Sequence, residues 1–378
     1  MREYLLVMVA ACAATYILAG LARMVSIKLG IQAHVRARDM HTHPTPYLGG
    51  VAMLGGVAVA FTLAAIMPFL GRHEVVTRDS FGILAAGIVI CIVGAVDDAI
   101  DLPAIAKAAG QILAAGIAVL NGVRLYWISL PHHIIALDQT SSILITVVFI
   151  FACVNAINFM DGLDGLASGV VAIGSLAMFA YTYTLAHEQN FVIATTASLV
   201  SVTLTGICLG FLPHNFSRAR MFMGDSGAML LGLLLACSSL SFTGQIDSQA
   251  LDPSRGGLLP SWLPLILPFA IMALPFFDLV SAYIRRTWRG EWWFVADKQH
   301  LHHRLIDRGF TVVQAVFILY LWTAIIAFGV VGFVLVYQWW IRLLWILIVL
   351  TSMMWTFRPR VLKVRQDRDE HMSIEMDR

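Results

Sequence analysis

The sequence predicts an all-α, polytopic integral membrane protein, and three observations support that fold class. Of the 378 residues, 59% are hydrophobic and 13% are charged, and the mean hydropathy is +0.80. Soluble domains carry roughly twice that fraction of charged residues. Repeated apolar runs are long enough to cross a hydrocarbon core, which needs about 20 residues per helix. A soluble enzyme is therefore excluded.

The apolar runs divide the chain into spans. The first run, from Tyr4 to Ile27, is too long for the core of a signal peptide, so we interpret it as a retained helix. Further spans are predicted near residues 48–70, 80–96, 103–120, 141–157, 165–186, 191–211, 226–243, 262–284, 311–333 and 339–357. About eleven transmembrane helices therefore form one predicted domain over residues 1–357. Residues 358–378 form a charged cytoplasmic tail that we predict to be disordered.

Basic residues are divided unequally between the two sides of the predicted bundle. Seventeen Lys and Arg residues fall on the side that includes the C-terminus, six of them after Phe357, and five fall on the other side. Cytoplasmic loops carry the excess of Lys and Arg in membrane proteins. The N-terminus is therefore predicted outside and the C-terminus in the cytoplasm. The cytoplasmic loops also hold nearly all the reactive side chains, whereas the outward loops, including 121–140 and 244–261, are ordinary.

The segment from Asn155 to Gly165 reads Asn-Ala-Ile-Asn-Phe-Met-Asp-Gly-Leu-Asp-Gly and separates two apolar runs. Asp161 and Asp164 lie three residues apart, so on the first turn of the next helix they would share a face. The helix dipole favours negative charge at that end. Taken alone, the segment also fits a solvated turn with capping aspartates. Similar polar loops recur on the same side, which favours a functional site.

A second acidic segment, from Val96 to Pro103, contains Asp97, Asp98 and Asp101. Spacings of three and four residues would bring these carboxylates to one helical face, where they repel one another unless a cation is near. Lys107 follows about one turn inside the bilayer, where a lysine must pair or reach back to the interface. Mg²⁺ typically takes one or two carboxylates plus substrate phosphate oxygens. The segment therefore predicts hard-cation chemistry.

Two further cytoplasmic loops allow two readings each. Asp225 lies in Gly-Asp-Ser-Gly directly before an apolar helix, so it is either an N-cap alone or a functional carboxylate held at the edge of the bilayer. The first loop contains His41 and Thr45 before a bend rich in Pro and Gly. That loop is either a basic flank that follows the orientation rule or a substrate contact.

The longest cytoplasmic connection begins at Arg285 and Arg286 and ends near residue 304. Arginine and lysine surround its histidines, and no cysteine is near, so phosphate recognition is favoured over a transition-metal site. Tryptophans in this connection suit a segment that lies in the membrane interface. The histidines are His300, His302 and His303, and the tryptophans include Trp292 and Trp293.

Together these motifs resemble the polyprenyl-phosphate N-acetylhexosamine-1-phosphate transferase family. The resemblance covers essentially all of residues 1–357, and it rests on four motifs in this order on one face. They are Asp97-Asp98-Ala-Ile-Asp101, Asn155-x-x-Asn158-x-x-Asp161-Gly-x-Asp164-Gly, Gly224-Asp225-Ser226-Gly227 and Ala296-Asp-Lys-Gln-His-Leu-His-His303. Eleven helices and the His-x-His-His form resemble the N-acetylglucosamine branch. The chain departs from the family pattern at Trp292-Trp293, where Ser-Pro is usual, and at His41, where the lipid I enzymes carry lysine.

The resemblance implies transfer of N-acetylglucosamine 1-phosphate from UDP-GlcNAc to undecaprenyl or decaprenyl phosphate, with release of UMP. It implies Mg²⁺ as the cofactor, with Mn²⁺ as a substitute, and an active site on the cytoplasmic face of the plasma membrane. Membrane lipids are expected partners, a homodimer is allowed, and no nucleic acid is expected. Two other functions stay open: the related UDP-MurNAc-pentapeptide transferase and, from another class, a secondary transporter of nucleotide sugars or ions.

The resemblance also implies roles for individual residues. Asp98 and Asp225 are expected to bind the metal, and Lys107 to meet the lipid phosphate. Asp97 is expected to orient or deprotonate that phosphate, and both direct attack and a covalent aspartyl intermediate stay open. The other expected catalytic residue is Asp161, and the expected substrate contacts are Asn155, Asn158, Asp164, His41, Thr45, Arg285, Arg286, His300, His302 and His303.

Overall fold

The computed structural model describes residues 1–30, 45–130, 133–189, 192–217, 219–243, 269–270, 273–288, 305–335 and 338–357. Long α-helices dominate these ranges. In chain order they are α1 (Arg2–Leu29), α2 (Gly49–Ile66), α3 (Glu74–Ile100), α4 (Ala104–Leu120), α5 (Gln139–Met160), α6 (Leu166–Gln189), α7 (Val192–Asn215), α8 (Gly224–Thr243), α9 (Ala273–Trp288), α10 (Val312–Leu335) and α11 (Trp339–Phe357). A 3₁₀ turn, Leu70–Arg72, follows α2.

Within the described ranges, nine helices are long and apolar enough to cross a membrane, and α4 is a shorter apolar helix. The ninth helix, α9, has 16 residues. An apolar helix of about 20 residues spans the hydrocarbon core because all its backbone groups are hydrogen-bonded internally. The chain is therefore an all-α, polytopic membrane protein. The count of eleven spans and the orientation of the termini stay predictions.

The helix α3 is longer than its predicted span of 80–96, because it continues through the acidic motif to Ile100. Asp97 and Asp98 consequently lie in its last turn, whereas Asp101 ends it in a left-handed conformation with φ 50°. Pro103 then precedes α4 and cannot continue α3. The two first carboxylates of the motif are thus held on a rigid element, and the third is exposed at its end.

The loop 121–140, predicted as an ordinary outward loop, contains a short antiparallel hairpin. Strand β1 (Trp127–Leu130) pairs with β2 (His133–Ala136), and Trp127 lies opposite Ala136. The strands are rich in isoleucine and include Trp127, residue types that favour strands. The hairpin is a minor addition at the end of α4, so the all-α class holds.

The core of the bundle is formed by α6, α7 and α8. Of the most apolar window in each helix, 78% is buried in α6, 89% in α7 and 94% in α8, compared with 11% in α11. Helix α8 packs against α2, α3, α5 and α7. The short polar motif that begins α8 is therefore fixed by the most enclosed of the described membrane-spanning helices.

Hydroxyl groups cross-link this core. Ser175 and Thr205 join α6 to α7 with oxygens 2.8 Å apart, and Ser201 and Ser238 join α7 to α8 with oxygens 2.6 Å apart. All four side chains are buried. Small polar residues at helix contacts allow close approach and supply interhelical hydrogen bonds in membranes. We define Ser175, Thr205, Ser201 and Ser238 as the hydroxyl cluster.

Candidate active site

Four helices bring charged and amide side chains together at one end of the bundle, around the ammonium of Lys107 on α4. Its Nζ donates to Asp97 Oδ2 at 2.8 Å, to Asp225 Oδ2, and to Asn158 Oδ1 at 3.5 Å. Asn158 in turn donates through Nδ2 to Asp225 Oδ1 at 2.9 Å. The four residues come from α4, α3, α8 and α5. We define Lys107, Asp97, Asp225 and Asn158 as the charged cluster.

The charged cluster remains open to small molecules. The exposed fraction of the side chain is 20% for Lys107, 12% for Asp97 and 32% for Asp225. A lysine within an apolar helix is expected to pair with acids rather than remain alone. The structure therefore confirms that Lys107 pairs, and its partners are the predicted acidic residues of two other motifs.

Asp98 caps the start of α8 from the neighbouring helix α3. Its Oδ1 accepts from the backbone N–H of Asp225 at 2.8 Å, and its Oδ2 accepts from the N–H of Ser226 at 3.4 Å. The first N–H groups of a helix need such outside partners, and the dipole favours an anion there. Asp225 itself lies in the first turn of α8. The reading of Asp225 as an N-cap is therefore wrong, because Asp98 supplies the cap and the Asp225 side chain joins the charged cluster.

Glycines on two helices allow this close approach. A Cβ at Gly94 of α3 would overlap the backbone of Ser226, and a Cβ at Gly50 of α2 would overlap the backbone of Gly227. The Gly50 N–H also donates to Met223 O at 3.0 Å. The start of α8 is consequently in backbone contact with α2 and α3 on two sides.

A neutral polar layer lies one helical turn farther into the bundle. Gln111 of α4 accepts through Oε1 from Asn155 Nδ2 of α5 at 2.9 Å, and its Nε2 donates to Met229 Sδ of α8 at 3.1 Å. Asn155 also donates to Phe151 O at 2.8 Å. Gln111 is buried. Asn155 was expected to contact substrate, and its amide nitrogen instead donates to groups of the protein. Gln111 belongs to none of the sequence motifs, so the sequence did not identify it.

Asp161 lies in the loop between α5 and α6, near the carboxylates of the site. Burial, together with the neighbouring charges of Asp225, Asp98 and Asp164, raises the pKa of Asp161 to about 8. A cation bound among these carboxylates would favour the ionised form of Asp161. The expected catalytic role of Asp161 stays a prediction.

Asp161 and Asp164 do not share a face of the next helix, so that expectation is wrong. Helix α6 begins only at Leu166, after Gly165 has taken a left-handed conformation with φ 73°. Asp164 Oδ2 instead accepts from the N–H of Ala219 at 2.8 Å. The second aspartate of the motif therefore ties its loop to the loop before α8.

Asn215, at the end of α7, makes a parallel connection that sequence patterns did not reveal. Its Oδ1 accepts from the Gly165 N–H at 2.9 Å, and its Nδ2 donates to Met221 O at 3.1 Å. Tyr320 of α10 donates its hydroxyl hydrogen to Gly165 O. Asn215 is buried. The loops 161–165 and 219–224 are thus held to each other through Asn215.

Of the remaining predicted contacts, one lies beside the loop before α8, two lie on α9, and the others lie outside the described residues. Thr45 is buried beside Pro46, whose carbonyl accepts from the Phe222 N–H at 2.9 Å. Arg286 of α9 is buried, and its guanidinium carbon lies 5.9 Å from the Tyr283 ring centroid. Arg285 on the same helix is half-buried. His41, His300, His302, His303, Trp292 and Trp293 lie outside the described residues.

The oxygen atoms of the charged cluster and of the adjoining Asp98 fit a hard divalent cation. Asp225 and Asp98 supply carboxylate oxygens. Asn158 supplies an amide oxygen, which lies 3.5 Å from Lys107 Nζ. In the part of the chain that the structure describes, no three His, Cys, Asp or Glu side chains form a metal-binding group by themselves. Mg²⁺ commonly uses one or two protein carboxylates and completes its shell with water and substrate phosphate. The residues present therefore fit Mg²⁺ better than zinc, which prefers His and Cys.

Comparison with known proteins identifies what the chain is similar to. A model of glycosyl transferase family 4 matches residues 80–243. The decaprenyl-phosphate N-acetylglucosaminephosphotransferase of Mycobacterium tuberculosis is 43% identical over 333 residues, which cover 87% of this chain and 82% of that protein. The protein of the same name from Mycolicibacterium smegmatis is 42% identical over 333 residues, with the same coverage of both chains.

A more distant relative extends the comparison beyond mycobacteria. The undecaprenyl-phosphate α-N-acetylglucosaminyl 1-phosphate transferase of Escherichia coli K12 is 28% identical over 314 residues, which cover 81% of this chain and 77% of that protein. The matched region of the family model, residues 80–243, includes Asp97, Lys107, Asn158 and Asp225. The charged cluster therefore lies wholly within the shared part of the chain.

Proposed function

This chain belongs to the polyprenyl-phosphate N-acetylhexosamine-1-phosphate transferases, and we infer its activity from that membership. The chain transfers N-acetylglucosamine 1-phosphate to a polyprenyl phosphate in the membrane. We propose UDP-GlcNAc as the donor, UMP as the second product and the cytoplasmic face as the side of the active site. Greater identity to the decaprenyl-phosphate enzymes than to the undecaprenyl-phosphate enzyme favours decaprenyl phosphate as the acceptor.

The observation that carries this proposal is the position of Lys107. Its ammonium lies at the end of an apolar helix and is shared by Asp97, Asp225 and Asn158. An ammonium has three donors, so one of them can turn from a protein oxygen to a phosphate oxygen without leaving the cluster. A phosphate that enters from the bilayer and a nucleotide that enters from water would both reach this point. Phosphoryl transfer requires chiefly such positioning and charge neutralisation.

In the proposed reaction, an oxygen of the lipid phosphate attacks the phosphorus that carries the sugar. The bond from that phosphorus to the bridging oxygen breaks, and UMP leaves with the bridging oxygen. Lys107 holds the attacking phosphate. Asp97 holds Lys107, because its Oδ2 accepts from Nζ while its Oδ1 accepts from the Leu102 N–H at 2.8 Å. Asp97 is thereby placed to orient Lys107.

We propose that Asp225, Asp98 and the amide oxygen of Asn158 would hold Mg²⁺. When bound, Mg²⁺ would neutralise charge on the phosphoryl group during transfer. Asp98 contributes while it caps α8, since each carboxylate oxygen that accepts one hydrogen bond retains a second lone pair. The cap then fixes the backbone of Asp225, so a small displacement of α8 would alter the cation site as well.

The test is an assay of the purified protein with UDP-GlcNAc, decaprenyl phosphate and MgCl₂. We expect release of UMP together with decaprenyl-diphospho-GlcNAc, identified by mass spectrometry, and no turnover in EDTA. Undecaprenyl phosphate, assayed under the same conditions, measures the preference for lipid length. Full activity in EDTA would contradict the metal site and leave the transfer reaction standing.

Two further measurements separate the other functions. UDP-MurNAc-pentapeptide is assayed beside UDP-GlcNAc with the same lipid, because specificity is a ratio of kcat/KM values. Equal use of both donors would refute the choice of UDP-GlcNAc. In proteoliposomes, counterflow of UDP-GlcNAc without any lipid product would refute the transferase and favour a transporter.

A further inference from the structure

Two polar layers connect the same three helices, and the inner layer has no assigned role. The outer layer contains Lys107 of α4, Asn158 of α5 and Asp225 of α8. Moving inward by one turn on each helix gives Gln111, Asn155 and Met229, which form the inner layer. Every member of the inner layer is thus offset from its outer counterpart by three or four residues, so the pairs share one face of each helix.

The inner layer is neutral and enclosed, unlike the outer one. Gln111 and Met229 are buried, and the amide of Asn155 divides its two hydrogens between Gln111 Oε1 and Phe151 O. Asn155 thereby connects the α4 side chain to the backbone of α5. These bonds lie behind Lys107, on the side away from the open end of the site.

Helix α4 needs such a constraint. Its first three residues, Ala104, Ile105 and Ala106, are exposed, as is the preceding Pro103. The helix packs against α3 and α5. A lysine near the end of an apolar helix can also reach back to the interface and leave its partners. A small rotation of α4 would be enough to favour that alternative.

A buried amide at Gln111 is not explained by stability alone. An apolar side chain of similar volume would fill the same space without the cost of removing an amide from water. Buried polar groups do, however, fix the register and rotation of one helix against another. The hydrogen-bond partners of Gln111 lie on α5 and α8, the two helices that also carry Asn158 and Asp225.

We propose that Gln111 is a positioning residue: through Asn155 and Met229 it fixes the rotation of α4, so that Lys107 points at the acceptor phosphate. This inference rests on the proposed function of Lys107 and adds a residue that touches no substrate. It applies to the acceptor, because Lys107 is the group proposed to hold the lipid phosphate. The nucleotide donor is held by other residues and should be much less affected.

The first test is Gln111→Leu, which removes both hydrogen bonds at nearly constant volume. We expect the variant to purify with a Tm close to wild type, while kcat/KM for decaprenyl phosphate falls about tenfold or more. The KM for UDP-GlcNAc should change by less than about twofold. The matched control is Ser201→Ala, which removes another buried bond between helices and should leave both kinetic parameters unchanged.

The second test exchanges the two amides. Gln111→Asn and Asn155→Gln should each lower kcat/KM for the lipid, since each alone makes the amide pair too short or too long. The double exchange restores the combined length and should recover most of the activity. Gln111→Met, which keeps a flexible side chain but no amide, should resemble Gln111→Leu.

The outcomes separate the inference from the proposed function. If Lys107→Met loses lipid use and Gln111→Leu retains wild-type kinetics, the inference fails and the proposed role of Lys107 stands. If Lys107→Met is fully active, the proposed role itself fails. Equal losses on both substrates with a lowered Tm, or failure of both Gln111→Leu and Gln111→Met to fold, would show that Gln111 serves stability and would overturn the inference.

Discussion

The charged cluster and the hydroxyl cluster are both polar regions within an apolar bundle, and α8 contributes to each of them. Asp225 begins that helix, and Ser238 lies 13 residues later, about 20 Å along its axis. The charged cluster is partly exposed; formal charges join three of its helices, and the amide of Asn158 joins the fourth. The hydroxyl cluster is fully buried and joins three helices through neutral groups.

The difference shows how to separate function from packing among polar residues in a membrane protein. Hydroxyls can return a hydrogen bond to their own helix, as Thr205 does to Ser201 O at 3.0 Å, so their presence costs little. Bonds of this kind between membrane helices are worth about 0.6 kcal/mol on average. Lysine and aspartate side chains cannot neutralise their charge within their own helix, so in a membrane they occur as pairs or clusters of opposite charge. Convergent charge therefore marks the site, whereas convergent hydroxyls mark close packing.

The largest effect is expected from Asp225→Asn, which tests whether charge in the cluster is essential. Asparagine keeps the shape of the side chain but removes the anion that pairs with Lys107 and is proposed to bind Mg²⁺. We expect turnover to fall by about three orders of magnitude, as for removal of a group that stabilises transition-state charge. Steady-state UMP release gives the loss, and the melting curve in detergent gives the control. Retention of a tenth of the activity would contradict the assigned role.

An intermediate effect is expected from Asp98→Asn, which weakens the cap of α8 and removes a proposed metal ligand. The amide oxygen can still accept one N–H, so the loss of stability should be about 1 kcal/mol or less. Activity should fall about 10- to 100-fold, because Asp225 loses part of its support. The apparent affinity for Mg²⁺, measured by titration of activity and by Mn²⁺ EPR, should fall as well. An unchanged affinity for Mg²⁺ would show that Asp98 caps α8 but does not bind the metal.

The smallest effect is expected from Ser201→Ala in the hydroxyl cluster. The variant loses the bond to Ser238 but gains apolar contact, so the free energy of unfolding should change by less than about 1 kcal/mol. Turnover and both KM values should match those of wild type. Loss of activity with intact folding would contradict the distinction between the two clusters. It would show that packing between α7 and α8 controls the active site over about 20 Å.

The sequence was sufficient for the fold class and for the acids of the charged cluster. Long apolar runs can cross the membrane only as helices, and a lysine among them has to find an anion, which made Lys107 and the acidic motifs natural partners. The identity of each partner was not predictable. Lys107 and Asp225 are 118 positions apart, and their contact depends on how three helices are rotated.

Gln111 and Asn215 were missed for a related reason. Gln111 lies alone in an Ala-rich helix, and Asn215 follows Pro213 and His214 without a recognisable motif. Each becomes informative only when its bonds to other helices or loops are seen. Asp164 shows the opposite case, because a conspicuous motif residue forms a bond between two loops. Sequence patterns show where polar residues lie along the chain, whereas their tertiary contacts show which role each residue has.

The two glycines that lie in close contact with the start of α8, Gly50 and Gly94, have a consequence for inhibition. A side chain at Gly50 or Gly94 would collide with backbone atoms, which cannot rotate away as a flexible side chain can. A compound that binds against Asp225 and Ser226 would therefore contact a surface that substitutions at Gly50 or Gly94 cannot change without displacing the start of α8. Such a displacement would also damage the active site. Escape from such a compound would have to arise at other positions around the charged cluster, such as those on α4.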